Sequence, residues 1–195
     1  MKLGLDDIVD QRAYERERDA FRDHIIAVKK LRRIGVGPHI TVLFENRETI
    51  RFQIQEMARA ERMLLDEQIQ TELDIYNPLI PEPGEVSATL FIELTSKLAL
   101  MDWLPRLVGI ETAVQLHLAD GDVVRCVVDP AHAAQLTREG ITAAVHYVKW
   151  AFTPAQVETF ASGAVRLVVD HPEYPYGTDI GSESVAALLE DLRGT

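Results

Sequence analysis

Residues Lys29 to Glu61 read KKLRRIGVGPHITVLFENRETIRFQIQEMARAE, and the break inside this run dictates what lies on either side of it. Gly35-Val36-Gly37-Pro38 cannot sit within a helix: Gly35 is placed to close one and Pro38 cannot continue it. Upstream, from about Asp10 to Arg33, residues Tyr14, Phe21, Ile25 and Val28 fall on one face at about 100° per residue, the pattern of an amphipathic helix. Its outer face mixes signs through Glu15, Arg16, Asp19, Arg22 and Asp23, which suits pairing one turn apart. Lys29, Lys30, Arg32 and Arg33 crowd the last turn, where the helix macrodipole favours cations.

Downstream of the break, His39 to Glu45 reads as a strand. Ile40, Val42 and Phe44 point one way, and His39, Thr41, Leu43 and Glu45 the other. His39 and Glu45 then stand roughly 20 Å apart along the strand. Asn46 is a good N-cap for a second helix, predicted from about Arg47 to Ile75, with Glu48 in its first turn. Its main apolar stripe is Ile50, Ile54, Met57, Leu64 and Leu65; Phe52 and Met63 form a smaller patch nearly opposite. A helix apolar on two sides is expected to be covered on two sides.

Pro78 ends that helix, and residues 79–85 form a proline-rich loop. The second half reads mainly as strands: Ser87–Leu94, Thr112–Leu118, Val123–Val128, Ile141–Phe152 and Ala164–Asp170. Ala119-Asp120-Gly121-Asp122, between two alternating runs, is a hairpin signal. Leu98–Val108 reads as a short helical link holding Pro105. Thr153-Pro154 opens a helix as cap and first residue, ending by Gly163. Residues 171–178 read as a loop, and Ser182 or Ser184 caps a last short helix. The predicted class is α+β: two long N-terminal helices packed on a largely antiparallel sheet of five or six strands, with short C-terminal helices. At 195 residues, one domain spanning 1–195 is the simplest organisation, with residues 1–35 as a helical appendage the other arrangement considered.

Charge narrows the function classes. The net charge is −11, but residues 1–65 carry 13 basic and 11 acidic side chains, whereas the remainder carries 7 and 20. Net acidity argues against a general phosphate-backbone binder, so no nucleic acid is expected, and the first third is left as the place for a local anion site. No apolar run approaches the roughly 18 residues of a membrane span. The acidic start, Leu5-Asp6-Asp7, precedes any signal-peptide core, so a cytoplasmic protein is expected. One cysteine allows no internal disulfide, and Cys126, in register with Val124 and Val128, reads as a buried inert thiol.

Motifs that carry chemistry are sparse. The histidines at 24, 39, 117, 132, 146 and 171 include no pair spaced for a helical metal site and no Glu-x-x-His motif. No metal and no cofactor are therefore expected, leaving only ligands assembled from distant positions. There is no nucleophile elbow, P-loop or dinucleotide fingerprint. The sharpest feature is a pair of charges on apolar stripes, Arg32 on the first helix and Glu61 on the second. A charge placed there is costly unless paired, so the two helices are expected to pack together with Glu61 meeting Arg32 or Arg18. The candidate binding set is Arg32, Arg33, His39, Glu45, Asn46, Arg47, Glu56, Arg59, Glu61 and Tyr76.

RRIGVGPHITVLFENRETIRFQIQEMARAE, ELDIYNPLIP and SATLFIEL, with the later YVKWAF and VVDHPEY, resemble a bacterial family of about this length known only as a domain of unknown function. The resemblance implies a gene neighbourhood with rubrerythrin and an iron–sulfur oxidoreductase, hence a peroxide or redox-stress setting; it brings no catalytic residues. Two functions are consistent with these residues. One is a non-electron-carrying accessory protein of an oxidative-stress module, with rubrerythrin or the iron–sulfur oxidoreductase as partner, or a second copy of itself. The other is an enzyme or sensor that takes a small anionic molecule through the arginines and glutamates of residues 32–61.

Overall fold

In the computed structural model, which describes residues 1–128 and 140–194, the break at residues 35–38 is the tip of a hairpin. Helix α1 (Gln11–Arg32) starts on Asp10, whose carboxylate accepts the Ala13 N–H at 2.9 Å. It runs straight into strand β1 (Arg33–Val36), which turns through Gly37 at φ 65° into β2 (Ile40–Glu45). Gly35 is thus a strand residue rather than a helix closure: pairing of Gly35 with Thr41 takes the backbone groups that a cap would have used.

Helix α2 (Arg47–Ala60) begins as the sequence predicts. Asn46 Oδ1 accepts the Thr49 N–H at 2.9 Å, and Thr49 Oγ1 accepts the Asn46 N–H at 2.9 Å. The helix does not reach Ile75. It stops at Ala60, Arg62 takes φ 54°, and α3 (Asp66–Tyr76) starts afresh. Leu64 and Leu65, placed on the apolar stripe by a continuous helix, lie in this break and are exposed. α2 is nonetheless covered on two sides. Phe52 meets Phe21 of α1 edge-on at 5.6 Å, while Ile50 and Ile54 pack with Leu3, Leu73 and Ile80 in a small second core. Two buried or half-buried amides fasten the N-terminal segment to that core. Gln55 exchanges hydrogen bonds with both backbone groups of Val9, and Asn77 does the same with Leu3.

The strands form two four-stranded antiparallel sheets in place of the expected single sheet. The first runs β1-β2-β3-β6, with β3 at Glu85–Ile92 and β6 at Val145–Ala151. The second runs β5-β4-β7-β8, with β4 at Val114–His117, β5 at Val123–Arg125, β7 at Arg166–His171 and β8 at Tyr174–Asp179. The Asp120-Gly121 hairpin joins β4 and β5 as predicted, with Gly121 at φ 93°. Residues 171–178, read as a loop, are instead mostly strand β8; Pro175 is tolerated because β8 is an edge strand. Helices α4 (Lys97–Arg106), α5 (Pro154–Ser162, capped by Thr153) and α6 (Ser182–Arg193) complete the six helices among the described residues. Gly181, with no side chain to offer, occupies the cap position of α6 that Ser182 or Ser184 was expected to fill.

The sheets close over one main core, from Val36, Val42 and Phe44 through Leu90, Trp150 and Leu116 to Leu167 and Val169. One seam between them is stitched by Val127 and Lys149, which exchange backbone bonds of 2.6 and 3.0 Å. Tyr174 crosses the other. Its hydroxyl donates to Val36 O at 2.7 Å and accepts the N–H groups of His39 and Ile40 at 2.8 and 3.1 Å. The opposite face of the first sheet lies under α1, α2 and the chain around Tyr76. β2 is therefore buried along its whole length, including polar Thr41 and Glu45.

Candidate functional site

Helices α1 and α2 do clasp, and opposite charges meet between them, but through other residues than expected. Glu56 is the hub: Arg18 donates from Nε and Nη2 at 2.8 and 2.9 Å, and the buried Tyr14 hydroxyl donates at 2.7 Å. Those Arg18 bonds hold the Glu56 carboxyl below its ordinary range, against the opposing effect of burial and with help from Tyr14. Burial, reinforced by Glu56, pushes the Tyr14 phenol up. Arg59 pairs with Glu15 at 2.6 Å. Glu61 reaches neither Arg32 nor Arg18: it caps the C-terminus of the shortened α2, is exposed, and forms no ion pair among the described residues.

Arg32 points the other way. It is buried and bonds Asp191 of α6 at 2.5 and 3.1 Å, with Ala187 O at 3.2 Å. Burial raises the Asp191 carboxyl, and Arg32 opposes that shift. Arg33, itself exposed on the edge strand β1, pairs with Glu93 and lies over the Phe91 ring at 5.5 Å. Arg47 pairs with Asp7 at 2.6 Å. Asn46 is spent as the cap of α2, and the His39 ring stacks edge-on to Trp103 at 4.9 Å. The four arginines at 32, 33, 47 and 59 each close an internal pair in a different direction, so no convergent guanidinium set faces an incoming anion.

Two predicted residues do converge. Glu45 and Tyr76 line a cavity of about 240 Å³ between the outer face of the first sheet and α2, with Lys29, Gln53, Thr89 and Tyr147 among its other walls. The strand period explains the meeting. Glu45 lies opposite Ser87, and Thr89 lies opposite Tyr147, so outward-facing positions of three neighbouring strands share one floor. Glu45 Oε2 accepts Thr49 Oγ1 at 2.5 Å and Oε1 accepts Thr89 Oγ1 at 2.6 Å. Burial, with Tyr76 and Glu45 nearby, pushes the Tyr147 phenol up to about 12. No motif in the sequence singles out Thr49, Thr89 or Tyr147. The usable signal was the alternation of Ser87 and Thr89 with Ala88 and Leu90, which shows a polar outer face on a strand too apolar to be left bare.

Cys126, expected to be buried, is half-buried and follows β5 rather than lying within it. Its Sγ donates to Glu111 O at 3.1 Å, and burial pushes it up to about 11. His132 falls outside the described residues. Among the described residues, no three His, Cys, Asp or Glu side chains gather as a metal site, and no helix is long and apolar enough to cross a membrane.

Two antiparallel four-stranded sheets closed over one core, with helices over a cavity that Glu45 helps to line, define an α+β protein. Residues 2–192 match the family described as "Protein of unknown function (DUF3501)", and the chain belongs to that family. It is similar to a solved structure, the crystal structure of a novel protein of unknown function from Burkholderia pseudomallei K96243. The identity is 35%, the TM-score 0.90, and the match covers 98% of this chain and 100% of that one. No curated protein matches the chain.

Proposed function

We propose that this protein is an accessory component of a bacterial redox or oxidative-stress system, acting in the cytoplasm through protein contacts rather than by carrying electrons. The observation that supports this reading is α4. Leu98, Met101 and Pro105 stand at i, i+3 and i+7, one stripe of a helix, and that stripe faces solvent: Leu98 is 80% exposed and Met101 66%. No residue of α4 is buried. Exposed Ile141 is held beside it, since the next residue's N–H donates to Leu104 O at 3.2 Å. Covering two such side chains is worth roughly 1.5–3 kcal/mol each, which contributes to holding a partner helix or surface.

The family resemblance supplies rubrerythrin and an iron–sulfur oxidoreductase as the partners to try. The test is co-purification of the tagged chain with each, alongside the double variant L98D/M101D. The wild type retains a partner and the variant releases it while keeping the same melting temperature. A wild-type chain that retains neither protein, by pull-down and by calorimetry, overturns the proposal.

A further inference from the structure

The cavity over Glu45 is a second feature, separate from α4 and independent of any contact made there. Glu45 is 7% exposed, and no ion pair reaches it among the described residues. Its two oxygens accept the hydroxyls of Thr49 and Thr89, two of about four lone-pair positions on a carboxylate. The first turn of α2 starts two residues on, and its dipole offsets part of the charge. Dipole and hydroxyls fix where the carboxylate points without neutralising it, and a buried charge is costly until it meets an opposite one.

The walls have a matching pattern. Tyr76, Tyr147 and Phe91 present aromatic surface around the floor, which suits a cationic group. Lys29 lines the same cavity and forms no ion pair among the described residues; its ammonium lies 5.3 Å from the Phe52 ring centroid. A simple amine would satisfy Glu45 and be repelled by Lys29, whereas a simple carboxylate would meet the reverse. The volume, about 240 Å³, falls below the ~300–1,000 Å³ of sites for drug-sized ligands, so the occupant is small.

We infer that this cavity binds a small zwitterion, a compound with one ammonium and one carboxylate group such as a free amino acid, the ammonium on Glu45 and the carboxylate towards Lys29. Thr49 and Thr89 act as positioning residues that hold Glu45 in place for the ammonium.

The test is isothermal titration of the full chain with 4-aminobutyrate, glycine and L-alanine, and with n-butylamine and n-butyrate as single-charge controls. At least one zwitterion is expected to bind, with both controls at least about tenfold weaker, the loss expected when one charged hydrogen bond goes missing. E45Q lowers zwitterion affinity about tenfold or more. K29A, at a half-exposed position, lowers zwitterion affinity and leaves that of n-butylamine unchanged or raised. Circular dichroism establishes that each variant is folded, and K29A carries the test if E45Q is not. Absence of binding for all three zwitterions, or zwitterion affinity unchanged in K29A, overturns the inference. Neither result bears on capture through α4.

Discussion

Arg32 and Asp191, 159 positions apart, meet through two hydrogen bonds where the end of α1 crosses α6. The Arg32 side chain is 5% exposed and that of Asp191 12%, so neither charge has much water to fall back on. Removing one partner strands the other. Arg32→Ala or Asp191→Ala is expected to lower stability by about 3–5 kcal/mol, whereas an apolar pair of similar volume at both positions costs much less. Urea unfolding of the two single variants and the Arg32→Met/Asp191→Leu double variant checks this. A single variant as stable as wild type contradicts the assignment.

The hairpin tip depends on Tyr174. Its hydroxyl serves three backbone groups, so Tyr174→Phe leaves Val36 O and the N–H groups of His39 and Ile40 short of a partner. A loss of about 1–3 kcal/mol is expected from thermal or urea unfolding. Gly37→Ala is expected to be at least as damaging. Its φ is 65°, and a Cβ there would sit 2.6 Å from Tyr176 Cγ and 2.7 Å from the Tyr174 hydroxyl oxygen.

Acid sensitivity follows from Glu56. Its carboxyl ionises below the ordinary 4.5 in the folded chain because Arg18 hydrogen-bonds it, with Tyr14 adding to the effect. A lowered carboxyl contributes stability that is full above the unfolded value and is lost as pH falls through the folded one. Asp7, lowered by the Gly4 N–H and by Arg47, acts in the same direction. The stability gap between wild type and Glu56→Gln is therefore expected to be widest at neutral pH and to narrow below pH 4.5. A gap independent of pH would remove Glu56 from this role.

Cys126 is expected to resist alkylation. With the thiol pushed up to about 11, little thiolate exists at neutral pH. Iodoacetamide should label the native chain at least about tenfold more slowly than the chain in denaturant, since the thiolate is the nucleophile. Equal rates, followed by mass spectrometry, would show the thiol to be open.

What the sequence revealed was mostly local. Asn46, Thr153-Pro154 and Asp120-Gly121 act through neighbours two or three residues away, and each starts or turns an element where predicted. The misses share another cause. Apolar spacing continues past Ala60, so Leu64 and Leu65 looked like stripe residues, yet Arg62 turns the backbone and exposes both. That error put Glu61 on a face it does not occupy. Tyr174-Pro175-Tyr176-Gly177 has the composition of a loop, and only its pairing with β7 makes it a strand. Arg32 was recognised as a misplaced charge, but its partner sits in the last helix, where no spacing rule points. Glu45 and Tyr76 stand out in the sequence only as polar groups at the ends of predicted elements; that they share a cavity depends on Thr89 and Tyr147 of later strands.

The Tyr174 contact with the hairpin tip, together with Asp191, has a bearing on how the protein is made. A ribosome delivers the chain in the N-to-C direction, so α1, β1 and β2 emerge before β8 and α6. Until β8 and α6 follow, the hairpin tip lacks its phenol and Arg32 lacks its carboxylate. The α1–β2 segment is thus completed only by residues translated 138 and 159 positions later, and a message truncated before them yields a chain in which that segment stays open to proteases.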